Sequence, residues 1–121
     1  MSRKRLESQL DSLVSEIVRE RDDRCITCNC LLTDWNATAG HYMKRRHRTT
    51  RWDLANVNGQ CIFCNNEDND EKYRQAMVRR YGEEITISLE HMAHQEIHFT
   101  KSELKALLLN LKENEQPESF T

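Results

Sequence analysis

"AGHYMKRRHRTTRWDLANVNGQCIFCNN", residues 39–66, packs a histidine, a basic strip, several asparagines and a Cys-x-x-Cys pair into one run. Lys44, Arg45, Arg46, Arg48 and Arg51 fall within residues 41–52, which contain no Asp or Glu. Asn56 then leads into Cys61-x-x-Cys64, with Asn65 directly after it. A knuckle of this kind sets two thiolates on one turn whose backbone amides face the sulfurs. A second pair, Cys25-x-x-Cys28, stands upstream. Two knuckles supply a tetrahedral zinc site with Zn–S distances of about 2.3 Å. Residues 29–60 separate the pairs, more than the usual zinc-finger spacing, so a structured insert must bring them together. Cys30 is the spare thiol, at the wrong place in its turn to ligate. The plainer alternative is a set of buried free thiols.

Working outward, the insert breaks helical periodicity and holds most of the turn formers, including Gly40, Asn58 and Gly59. Short strands are expected near 37–43 and 57–62, joined by the basic loop. Upstream, residues 4–22 read as an amphipathic helix with Leu6, Leu10, Leu13, Val14, Ile17 and Val18 on one face. Downstream, a helix is expected from about Asp68 to Tyr81, burying Tyr73, Ala76, Met77 and Tyr81, with Gly82 as its C-terminal stop. Residues 84–99 are ambiguous: "EITISL" alternates like a strand, whereas Leu89, Met92, Ala93 and Ile97 step like a helix beginning near Ser88. Thr100 and Glu103 form a capping box for a last helix, whose apolar stripe is Leu104, Leu107, Leu108 and Leu111. Beyond Glu113 the chain is polar and reads as a frayed tail. The expected organisation is an N-terminal helix (1–24), a zinc-bound core (25–82), a C-terminal helical segment (83–113) and the tail (114–121).

The chain has 121 residues, 37% hydrophobic and 31% charged, with a single proline. That supports one small, mostly helical domain with a thin core and argues against disorder. No apolar run approaches the roughly 20 residues of a membrane span. The N-terminal "MSRKRLESQL" lacks the apolar stretch of a secretory signal. A reducing cytoplasm is the expected compartment, which favours metal-bound cysteines over disulfides. Net charge is −2, so local charge says more about partners than the total does.

The order His41, Asn56 five residues before Cys-x-x-Cys, then Asn65, resembles the HNH (His-Me finger, ββα-metal) endonucleases. More narrowly, "AGHYMKRR…TRWDLANVNGQCIFCN" followed by a helix ending "YG" is similar to the phage NinG/Rap recombination family, structure-specific DNA nucleases. The resemblance spans roughly residues 10–110 and is most specific over 25–82. It implies an α+β, mostly helical fold with a zinc-stapled ββα-metal core flanked by N- and C-terminal helices. It also implies hydrolysis of DNA phosphodiesters, in branched or recombination-intermediate DNA, to 5′-phosphate and 3′-hydroxyl ends. By similarity His41 accepts the proton of an attacking water. Asn65 would reach one catalytic Mg²⁺ or Mn²⁺, and Asn56 would keep His41 oriented. Many HNH enzymes carry an Asp or His ligand directly before the base; here Gly40 stands there. His41 itself, His47, Asp68 or Asp70 are the side chains available to complete the shell. A His that the NinG-like pattern usually shows is Asn58 in this chain.

Other readings of the same residues stay open. Asn56 can cap a turn, and Asn65 can cap the following helix. The five cations can be a solvated face rather than a phosphate-binding strip. Trp52 and Tyr42 can stack on a base or pack on the hairpin, packing being the favoured role for Trp52. His91, His94 and His98 would share a helical face, as a metal site or simply as a polar surface. The alternative function is a non-catalytic zinc module that binds DNA or a recombination protein; a weaker one is an adaptor using the leucine-rich terminal helices. A homodimer through residues 4–22 or 100–113 would give the two active centres that symmetric junction cutting requires.

Overall fold

The computed structural model describes residues 1–115; the end of the expected tail, 116–121, lies outside them. The leucine period in the first segment produces α1 (Arg3–Arg21), started by the Ser2 hydroxyl, which accepts from Arg5 N at 3.1 Å. Its stripe Leu6, Leu10, Val14 and Val18 is wholly buried. The last segment produces α6 (Lys101–Glu115), and its capping box forms reciprocally. Thr100 N donates to Glu103 Oε1 at 2.8 Å and Glu103 N to Thr100 Oγ1 at 3.1 Å. Leu104, Leu108 and Leu111 close against the α1 stripe, and Trp52 and Val57 complete the same cluster. The two leucine faces therefore cover each other within one chain. Burying each such side chain stabilises by about 1.5–3 kcal/mol, which makes this helix pair the principal apolar core.

Between these helices lies the insert. Strands β1 (Ala37–His41) and β2 (Val57–Cys61) pair antiparallel, with Ala37 opposite Cys61 and His41 opposite Val57. Both strands are slightly shorter than expected. The connecting loop holds one helical turn, α2 (Arg48–Arg51), and the chain leaves β2 directly into α3 (Ile62–Glu67). Asp68, in the left-handed region at φ 54°, ends α3. Asn69 then caps α4 (Asp70–Tyr81), its Oδ1 accepting from Lys72 N at 3.1 Å. The helix expected from Asp68 is thus preceded by a separate one.

Gly82, at φ 93°, reverses the chain into α5 (Glu83–Ala93). This segment is neither the strand suggested by "EITISL" nor a helix starting at Ser88. Thr86, Leu89 and Ala93 form the buried face of α5, while Ile85 and Ile87, which created the alternation, remain 46% and 38% exposed. Glu83 and Glu84 favour a helix N-terminus, and Thr86 Oγ1 bonds Gly82 O at 2.8 Å. Because α5 stops at Ala93, His98 does not share a helical face with His91 and His94.

Two buried polar hubs lock the helices to the hairpin. Asp22 accepts from Arg21, Arg80 and Gly59 N, each at 2.8 Å, joining the end of α1 to α4 and β2. Asn58, fully buried, donates to Ala55 O (3.0 Å) and the Tyr73 hydroxyl (3.3 Å), and accepts from the Tyr81 hydroxyl (2.6 Å). Asn58 is therefore a structural residue of the second core cluster, beside Tyr42, Tyr73, Met77 and Leu89.

Candidate functional site

Hairpin pairing draws the knuckles together. The ligand atoms of Cys25, Cys28, Cys61 and Cys64 lie within 4.8 Å of one another, with Cys28 Sγ and Cys61 Sγ 3.9 Å apart. A tetrahedron with Zn–S of about 2.3 Å requires S···S of about 3.8 Å, so the four thiols fit that ion closely. Each pair also has the expected amide contact: Cys28 N to Cys25 Sγ at 3.5 Å, and Cys64 N to Cys61 Sγ at 3.4 Å. The left-handed Asn29, at φ 66°, turns the first knuckle. A backbone amide at Cys30 favours the Cys28 thiolate, bringing that thiol down to about 7. Cys30 is not among the four. These cysteines could hold a zinc ion, and in doing so would tie the segment after α1 to β2 and α3.

The other half of the site is an open cleft of about 460 Å³ between α1 and the hairpin, lined in part by Asp11, His41, Lys44, Arg45, Asn65 and Asp68. His41, at the end of β1, sets its Nε2 3.0 Å from Arg51 O. A carbonyl only accepts, so Nε2 carries the proton and Nδ1 of the neutral ring is the acceptor. Burial pushes the His41 imidazole below its ordinary range, against the opposing pull of the Arg51 carbonyl. Asn65 sits within α3, where Cys61 and not Asn65 is the cap. Its Nδ2 donates to Thr38 Oγ1 at 3.1 Å, which leaves the amide oxygen as a free acceptor.

Asn56 is fully buried and spans the loop that the His41 contact depends on. Oδ1 accepts from Met43 N at 2.8 Å, while Nδ2 donates to Met43 O at 3.0 Å and Thr50 O at 3.1 Å. It acts on the whole of 43–50 rather than on one turn. At Gly40, a Cβ would lie 1.9 Å from Gln60 Oε1. The position before His41 is thus filled by a neighbouring side chain, and no ligand can be added there without moving Gln60.

The basic strip is compensated in space. Arg51 donates to both oxygens of Asp11 at 2.6 and 3.0 Å, Arg45 to Asp11 at 2.6 Å, and Arg48 to Glu7 at 2.7 Å. Lys44 pairs with Asp68 and reaches Asp70 at 3.4 Å. Arg46 alone of the five pairs with no acid among the described residues. Glu7 and Asp11, one turn apart on α1, carry no sequence signal beyond their spacing beside the apolar stripe. The aromatic residues pack: Trp52 is buried and donates Nε1 to Asp11 at 2.8 Å, and buried Tyr42 donates its hydroxyl to Glu90. His47 does not join His41 and Asn65. It lines a different groove, ring to ring with His94 at 5.5 Å, and with His91 and His98 forms no metal-holding group among the described residues.

The fold and the thiol cluster together define a mostly helical α+β protein with a two-stranded sheet and a candidate zinc centre. A family model described as bacteriophage lambda NinG protein matches residues 1–116, and the chain belongs to the NinG family. No curated protein and no solved structure matches the chain. No described helix is long and apolar enough to cross a membrane.

Proposed function

We propose that this protein is a metal-dependent DNA endonuclease of the HNH type, acting on branched or recombination-intermediate DNA. The observation that carries the reading is the convergence of His41 and Asn65 on one cleft, with the His41 ring held through Nε2 by Arg51 O. That arrangement leaves Nδ1 to take a proton from water, and burial keeps the ring neutral to lower pH than a free imidazole. A bound Mg²⁺ or Mn²⁺ would neutralise phosphate charge and stabilise the departing 3′ oxygen. Asn65 would offer that cation its free amide oxygen, and Asp68 is the nearest carboxylate to it in sequence that also lines the cleft. Asn56 positions His41 indirectly, by holding the loop that presents Arg51 O. Lys44 and Arg45, which line the cleft, supply phosphate contacts, whereas Arg51 braces the loop against Asp11.

One observation favours the second reading, a non-catalytic zinc module that binds DNA: the position before His41 is a glycine backed by Gln60. Linear, nicked, flapped and four-way DNA incubated with protein in Mg²⁺ or Mn²⁺, beside His41→Ala, separates the two. The nuclease loses cleavage with that substitution and keeps DNA binding. Cleavage that survives in His41→Ala, or is absent from the wild type on every substrate and metal, rejects it.

A further inference from the structure

A second groove, of about 500 Å³, lies beyond the 43–51 loop. Its lining offers guanidinium groups from Arg3, Arg46 and Arg48 and imidazole N–H groups from His47, His94 and His98, against a single acid among the described residues, Glu96. Lys44 and Arg45 line the His41 cleft, while the next three residues, Arg46 to Arg48, line this groove. The loop is thus a ridge with cations on both flanks. It is anchored on the far side by Thr49 Oγ1, which donates to Met92 O at 2.6 Å, and from within by Asn56. Arg48 is partly neutralised by Glu7, but Arg46 is exposed and pairs with no acid among the described residues. Guanidinium and imidazole N–H groups with so few carboxylates among them recognise anions, and an open trough rather than an enclosed cavity suits a polymer passing through.

We propose that this groove seats the phosphates of a second DNA strand, so that the ridge lies between two strands, one in the His41 cleft and one beside His94. The proposal rests on the DNA-directed reading above but does not require cleavage. A turn of helix such as α2 is about 10 Å across, too wide for the roughly 6 Å minor groove of B-DNA. It can enter the roughly 12 Å major groove, or a branch point where strands part.

The test uses full-length zinc-loaded protein and fluorescence anisotropy with a single-stranded oligonucleotide, a linear duplex and a four-way junction. His94→Glu/Gln95→Glu cancels the positive charge of the groove and substitutes none of residues 44–51. Arg46→Glu, on an exposed side chain, does so from the ridge. Zinc content and circular dichroism check the fold of both. The expected result for the double variant is a loss of about tenfold or more for the two-stranded substrates, with a log–log salt slope shallower by about 1–2. Single-stranded binding stays within about twofold. Arg46→Glu weakens the same two substrates most. Equal losses on all three DNAs, no loss on any, or a wild type that binds none of them overturns the proposal. Selective loss in a protein that cuts nothing would retain this groove and reject the nuclease reading alone.

Discussion

Asn56→Ala is expected to be, with a change at Asn58, among the costliest single polar substitutions in and around the hairpin. The Asn56 side chain makes three hydrogen bonds, to Met43 N, Met43 O and Thr50 O, and is completely buried. A buried hydrogen bond contributes about 1 kcal/mol net, and a partner left unsatisfied costs about 1–3 kcal/mol. Partial relaxation of the loop toward water brings the sum to about 3–5 kcal/mol. That is a large share of the roughly 5–15 kcal/mol that separates native from unfolded protein. At about 4 °C per kcal/mol for a domain of this size, Tm falls by roughly 12–20 °C. Differential scanning calorimetry at saturating zinc is the assay, so that loss of metal does not mix with loss of the loop. Asn56→Asp is the control. It keeps the acceptor for Met43 N but turns an oxygen toward two carbonyls, and so is expected to destabilise at least as much. A Tm for either variant within about 3 °C of wild type would refute the argument that this amide holds the loop.

Removal of zinc, by chelation or by Cys28→Ser, is expected to abolish cooperative unfolding and most of the hairpin's protection from amide exchange. Zinc binding contributes about 10 kcal/mol or more to folds of this kind; an unchanged melting transition in chelator would count against the thiol site. Asp22 gives a pH signature of its own. Burial opposes its ionisation, but hydrogen bonds from Arg21, Arg80 and Gly59 N outweigh burial and hold the carboxyl well below the usual carboxylate range. A depressed pKa contributes stability that is complete above the unfolded value near 3.8 and is lost as pH falls below it toward the folded value. The stability gap between wild type and Asp22→Asn in urea should therefore be full at pH 7 and narrow below about pH 4; a gap independent of pH contradicts this. For His41 the sign runs the other way under the proposed nuclease reading: the neutral ring would be the base, and its lowered pKa extends that form to more acidic solution. The acid limb of the single-turnover cleavage profile should have its midpoint below pH 6.5, and a midpoint above 6.5 would exclude His41 as the base.

How much of this was legible depended on whether the deciding contact was local. The terminal helices were readable because leucine spacing and the Thr100–Glu103 box act within a turn or two. The hairpin was readable because two Cys-x-x-Cys pairs must meet, and the turn formers between them leave little other geometry. The boundary at Asp68 was not, since it rests on a left-handed aspartate and on Asn69 capping its own helix. The identity of α5 was not, because Ile85 and Ile87 mimic strand alternation while pointing outward. Around the candidate cleft, the order along the chain singles out His41, Asn56 and Asn65. Only the structure shows what each touches: a carbonyl, a loop and a threonine hydroxyl.

The strip's electrostatics were the least legible, for a physical reason. Asp11 lies 34 residues before Arg45 and 40 before Arg51, so no window on the sequence brings the charges together. Five cations without a neighbouring acid looked like an unpaired surface awaiting a polyanion. In space they sort by exposure. Arg51, 14% exposed and bidentate on Asp11, also lies 5.3 Å from the Trp52 ring centre, and its removal would leave a half-buried carboxylate without its main partner. Arg45, 58% exposed, shares that carboxylate through a contact of the class worth about 0–1 kcal/mol, which a phosphate can replace at little cost. Arg46 pairs with no acid among the described residues. A run of five like charges in sequence therefore includes one cation that builds the loop, three on exposed or partly exposed ion pairs that a phosphate can replace, and one already turned outward.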